Sequence, residues 1–69
     1  MNTALRAARK AAGKTQRQVA QESRIGERSY QQYEYETREP NVRIAIRIAR
    51  VLGSSVEALF GEAPSPNKE

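Results

Sequence analysis

Sixty-nine residues carrying a net charge of +4 make one small domain, which buries only about 60% of the surface its unfolded chain exposes. With no histidine and no cysteine there is no disulfide framework, no thiolate metal site, and neither the commonest metal ligand nor the commonest general base. The charge is uneven: +6 over residues 1–50 (eleven Lys or Arg against five Glu) and −2 over residues 51–69 (Lys68 against Glu57, Glu62 and Glu69), so the basic part is the candidate for a polyanionic partner.

The first predicted element is a helix over Thr3 to Ala12, "TALRAARKAA", with Leu5, Ala8 and Ala12 at helical spacing. Thr3 is expected to cap its start and Gly13 to supply a left-handed stop. "TQRQ" opens a second helix as a capping box, Thr15 facing Gln18, and this helix runs through Val19 and Ala20 toward Ser23. "SRIG" reads as a tight turn. Gly26 sits at the cap of a third helix, about Glu27 to Glu36, which "TREP" interrupts because Pro40 cannot continue it. Asn41 caps a fourth.

That fourth segment, "VRIAIRIARVL", alternates branched residues as a β-strand would. A helix accounts for more of it. At about 100° per residue, Arg43, Arg47 and Arg50 form one narrow stripe, and the apolar side chains fill a wide arc beside it. Gly53 ends this helix, and Ser54 or Ser55 caps a short fifth one through Val56, Leu59 and Phe60, with Gly61 as its stop. "EAPSPNKE", residues 62–69, has too little apolar content to pack and is expected to be a flexible tail after a domain of residues 1–61. Five short helices joined by tight turns imply a compact all-α domain.

The third helix holds all three tyrosines. Winding it puts Ser29, Tyr30, Tyr33 and Glu34 on one side, and Glu27, Arg28, Gln31, Gln32 and Tyr35 on the other. Tyr30 and Tyr33 read as core anchors. The outer side carries the residue types that read base edges, since arginine forks onto guanine's two acceptors and glutamine pairs with adenine's donor and acceptor together. An ordinary solvated face has the same composition, so both readings stand at this point. A second and third helix joined by a turn of this length have the spacing of a DNA-binding helix-turn-helix.

Arg9, Gly13, "TQ" at Thr15 and Gln16, Ala20, Glu34, Pro40, "IA" at Ile48 and Ala49, "LG" at Leu52 and Gly53, and the final "LF" occur in one ungapped register. In this pattern residues 5 to 60 resemble the phage-repressor and Cro-type helix-turn-helix family. The resemblance implies a five-helix, lambda-repressor-like domain that binds double-stranded operator DNA as a dimer, with helix three in the major groove and helix two across the backbone. It implies base-reading roles for Glu27, Arg28, Gln31 and Gln32. Backbone contacts are implied for Gln16 and Arg17 at the start of helix two, for Tyr35 near the end of helix three, for Arg38 and Asn41 in the loop before helix four, and for Arg43. Arg9 and Glu34 match a structural ion pair between helices one and three.

Several positions depart from the family pattern. Arg24 and Glu36 stand where turn glycines are usual, so a left-handed backbone at Arg24 would be strained. Lys14 takes a usually apolar place, and Gly26 replaces a Ser or Thr cap at a cost of a few tenths of a kcal/mol. With no further domain expected, a homodimer would use Val56, Leu59 and Phe60, with Ile44 or Ile46 added; plain core is the competing reading for all of them. No cofactor, metal site, small-molecule substrate or enzymatic activity is expected, because the acids are scattered over helix faces. The absence of a long apolar run predicts a cytoplasmic protein without a membrane segment. The competing function is a protein-binding module of the same fold, an antitoxin or antirepressor with weak or no specific DNA binding.

Overall fold

A computed structural model describes residues 1–61, and the tail expected over residues 62–69 lies outside them. The described residues form five α-helices and no strand: α1 Thr3–Ala11, α2 Gln16–Glu22, α3 Glu27–Tyr35, α4 Val42–Leu52 and α5 Val56–Phe60. The fourth segment is therefore a helix, as its arginine spacing requires, despite its run of branched residues.

Local chemistry accounts for most boundaries. Thr15 and Gln18 form the reciprocal capping box of α2, and Asn41 and Ser55 each accept the backbone N–H three residues on, starting α4 and α5. The start of α1 differs from expectation: its cap is Asn2, not Thr3. Asn2 Oδ1 accepts from the Leu5 amide at 3.0 Å while Nδ2 donates to the Leu59 carbonyl at 2.8 Å. Its backbone N–H donates to the Glu34 carbonyl at 2.8 Å. One residue thus caps α1 and joins it to α3 and α5, contacts that a local reading of Thr3 cannot include.

Four helices close in the same way, with paired amide-to-carbonyl bonds around a left-handed residue. Gly13 and Gly53 occupy that position after α1 and α4; Arg24 (φ 63°) and Glu36 (φ 64°) occupy it after α2 and α3. The strain foreseen at Arg24 is present, and the helix-turn-helix corner keeps its form regardless. There the Ile25 amide bonds the Ala20 carbonyl and the Arg24 amide bonds that of Gln21, while Ile25 packs on the core.

Leu5, Val19, Ala20, Tyr30, Tyr33, Ile48, Ala49 and Leu59 make up the core, so every helix contributes to it. The apolar arc of α4 is only partly used: Ala45, Ile48 and Ala49 are buried, whereas Val42 is 73% and Ile46 38% exposed. The arginine stripe is also divided. Arg43 and Arg50 are exposed, but Arg47 Nε donates to the Ser23 carbonyl at 2.8 Å, supplying a donor to the C-terminal end of α2, where helical carbonyls lack partners.

Candidate nucleic-acid interface

The candidate surface is built outward from one carboxylate. Glu34, on the inner side of α3, is 1% exposed. Its Oε2 accepts from Arg9 Nε at 2.9 Å and from the Tyr30 hydroxyl at 2.8 Å; its Oε1 accepts from Gln16 Nε2 at 2.8 Å and Arg9 Nη2 at 3.3 Å. Arg9 Nη1 adds a bond to the Lys14 carbonyl at 3.0 Å. Helices α1, α2 and α3 thus meet at a single side chain.

This arrangement sets the ionisation of its members. Burial pushes the Glu34 carboxyl upward, but its bonds from Arg9, Gln16 and Tyr30, and the Arg9 charge, outweigh that and hold it below its ordinary value. The bond and charge of Glu34 raise Arg9 against the opposing effect of burial. Burial, followed by the bond to Glu34 and its charge, pushes the Tyr30 phenol far up. At neutral pH the cluster is one carboxylate, one guanidinium and one neutral phenol.

Tyr30 and Tyr33 are buried with Glu34, which turns the opposite side of α3 outward. Glu27 and Arg28 are exposed there, and Gln31 and Gln32 are half-buried. Glu27, Arg28 and Gln31 line one open depression of about 420 Å³. Hydrogen bonds extend this surface at two points. Gln31 Nε2 donates to Gln16 Oε1 at 3.3 Å, linking it to the start of α2; Arg38 Nη1 reaches Gln32 Oε1 at 3.5 Å, linking it to the loop before α4.

The other implied contact residues surround this set. Arg17, Tyr35, Arg38, Asn41 and Arg43 are exposed, Tyr35 by 49%. Asn41 uses its oxygen on the Ile44 amide, so its side-chain amide donors point away from the cap. Gln16, for which the resemblance implies only a backbone contact, is bonded to both Glu34 and Gln31. The periodicity of α3 separates its inner and outer sides; nothing in the linear pattern reveals that Gln16 bridges them.

The residues considered for a dimer interface do not stay together. Leu59 is 1% exposed and packed in the core, so it has no surface to offer a partner, and its inclusion in an interface is corrected. Val56 and Phe60 are half-buried and line a groove of about 540 Å³ with Tyr33, Pro40, Val42 and Ala45. Among the described residues no group of three or more potential ligands is placed to hold a metal ion, and no helix is long and apolar enough to cross a membrane.

No match was found among curated proteins or among solved structures. The helix-turn-helix family profile matches residues 5–59, which contain all four closing turns, the Glu34 cluster and the whole outer side of α3. On that span, and on the five-helix fold that carries it, the chain belongs to the Cro-type family of DNA-binding helix-turn-helix regulatory proteins.

Proposed function

We propose that the protein is a sequence-specific transcriptional repressor that binds a pseudo-palindromic operator as a homodimer and has no enzymatic role. The observation that carries this reading is the contrast across α3, where an inner side locked by Tyr30, Tyr33 and Glu34 holds an outer side of Glu27, Arg28, Gln31 and Gln32 toward solvent. In the major groove, Arg28 would fork onto guanine O6 and N7, Glu27 would accept from cytosine N4, and the two glutamines would read further base edges. Gln16, Arg17, Tyr35, Arg38, Asn41 and Arg43 would grip phosphates and fix the register.

Selection of bound sequences from random duplex DNA at two salt concentrations tests this directly. A two-fold-symmetric motif, with binding that weakens steeply as salt rises, is the expected result. Arg28→Ala should cost about 1–3 kcal/mol at one base position and relax preference there; equal losses on selected and random DNA would remove Arg28 from the reading side. For the dimer, Val56 and Phe60, with Ile44 or Ile46, are the remaining contacts. Sedimentation at micromolar concentration showing monomer alone, with and without selected DNA, would eliminate it.

The groove that contains exposed Val42, where Tyr33, Pro40, Ala45 and Phe60 lie beside Glu36, Arg38 and Glu39, supports a second reading, a protein-binding module of the same fold. An apolar partner interface would be insensitive to salt, so the same salt series separates the two.

A further inference from the structure

The buried cluster and the outer side of α3 are connected by a chain of hydrogen bonds whose polarity has only one consistent assignment. An ionised carboxylate is acceptor-only, with room for about four donors. Glu34 accepts four: two from Arg9, one from Tyr30 and one from Gln16. Gln16 must therefore turn its amide nitrogen inward, because its oxygen would meet a second acceptor. That leaves Gln16 Oε1 facing Gln31, which must answer with Nε2. The orientation of Gln31 is then decided as well, with Oε1 and one N–H left for the outer surface.

We propose that Glu34, buried and out of reach of DNA, is a positioning residue for base recognition, acting through Gln16 to make Gln31 present a carbonyl acceptor and so select a base with an exocyclic amino group. This rests on the reading of α3 as the helix that enters the major groove. Adenine (N6 donor, N7 acceptor) pairs with both the outward Oε1 and the remaining N–H of Gln31, and cytosine N4 pairs with Oε1; guanine O6 and thymine O4 can take only the remaining N–H and leave Oε1 unpaired. Gln16 thereby has two duties, a phosphate contact and the relay. Without the relay, the Gln31 amide is free to turn over, and its preference between amino and carbonyl bases is lost.

The test combines base selection with side-chain NMR on the intact chain. In wild type, one half-site position should require Gln31, disappear in Gln31→Ala, and favour adenine or cytosine by about fivefold or more. Gln16→Met, which keeps length but cannot relay, should reduce that preference to below about twofold while Arg28-dependent positions keep theirs. Glu34→Gln, whose amide can also donate, should do the same in the folded fraction measured by circular dichroism; Gln16→Met covers the case in which Glu34→Gln does not fold. In the free protein the Gln31 side-chain amide should be ordered, and mobile in Gln16→Met. Uniform weakening on all sequences with an unchanged preference would overturn the proposal, as would a Gln31 amide equally mobile in both proteins. Failure of wild type to enrich any motif would refute operator binding, and the free-protein NMR would then decide the relay by itself.

Discussion

The chain turns the same kind of corner four times, and two of these corners, after α2 and after α4, are stabilised differently. Between α2 and α3 the turn passes through left-handed Arg24, and the flanking helices are held by the buried Glu34 cluster and by Arg47 on the Ser23 carbonyl. Between α4 and α5 the turn passes through Gly53, which adopts the same conformation without a Cβ penalty, and the helices close on Ile48, Ala49 and Leu59. The first corner carries the candidate recognition surface and contains the charge, the strain and the directional bonds. The second is apolar support. Hydrogen bonds fix side-chain direction in a way that apolar burial does not, which suits a corner whose outward geometry matters.

The sharpest way to break the contrast is at its two centres. Glu34→Ala strands the Arg9 guanidinium and removes the acceptor of Tyr30, and should cost about 3–5 kcal/mol. For a domain with total stability of roughly 3–10 kcal/mol, denaturant titration should show most of the margin gone. Leu59→Ala should cost about 2–5 kcal/mol by cavity formation, and a loss under about 1 kcal/mol would mean that Leu59 is not core.

Acid separates the two corners further. The folded Glu34 carboxyl lies below its ordinary value, so the stability it contributes is complete above the unfolded carboxylate value of about 4.3 and is lost as pH falls through the lower folded value. A stability profile against pH should fall over that acid window in Leu59→Ala as in wild type, and lose that component in Glu34→Ala. Identical acid limbs in all three proteins would contradict this assignment.

Smaller substitutions sharpen the contrast at the turn itself. Arg24→Gly should stabilise by about 1 kcal/mol, since it relieves a left-handed side-chain residue; Gly53→Ala should destabilise by a similar amount. The smallest effect is expected at Ser23, whose hydroxyl is buried without a hydrogen-bond partner. Ser23→Ala removes an unsatisfied polar group and should leave the melting temperature unchanged or slightly raised; a loss above about 1 kcal/mol would show that the hydroxyl is bonded after all.

What the sequence determined by itself is what depends on neighbours three or four residues away. The Thr15 to Gln18 capping box, the Asn41 cap, the glycine stops, the helical nature of "VRIAIRIARVL" and the division of α3 into two sides all follow from spacing, because helix geometry is local and periodic. Tertiary structure decided whatever requires two distant segments to meet. Asn2, besides its local cap on the Leu5 amide, ties α1 to α5 through the Leu59 carbonyl, 57 residues away. Arg47 leaves the basic stripe because the end of α2 needs a donor, Leu59 turns inward while Val42 stays outside, and Gln16 becomes the bridge from a buried carboxylate to the outer surface. Each of these is a matter of which donor finds which acceptor, or which apolar surface finds cover, and both are settled only when the helices pack.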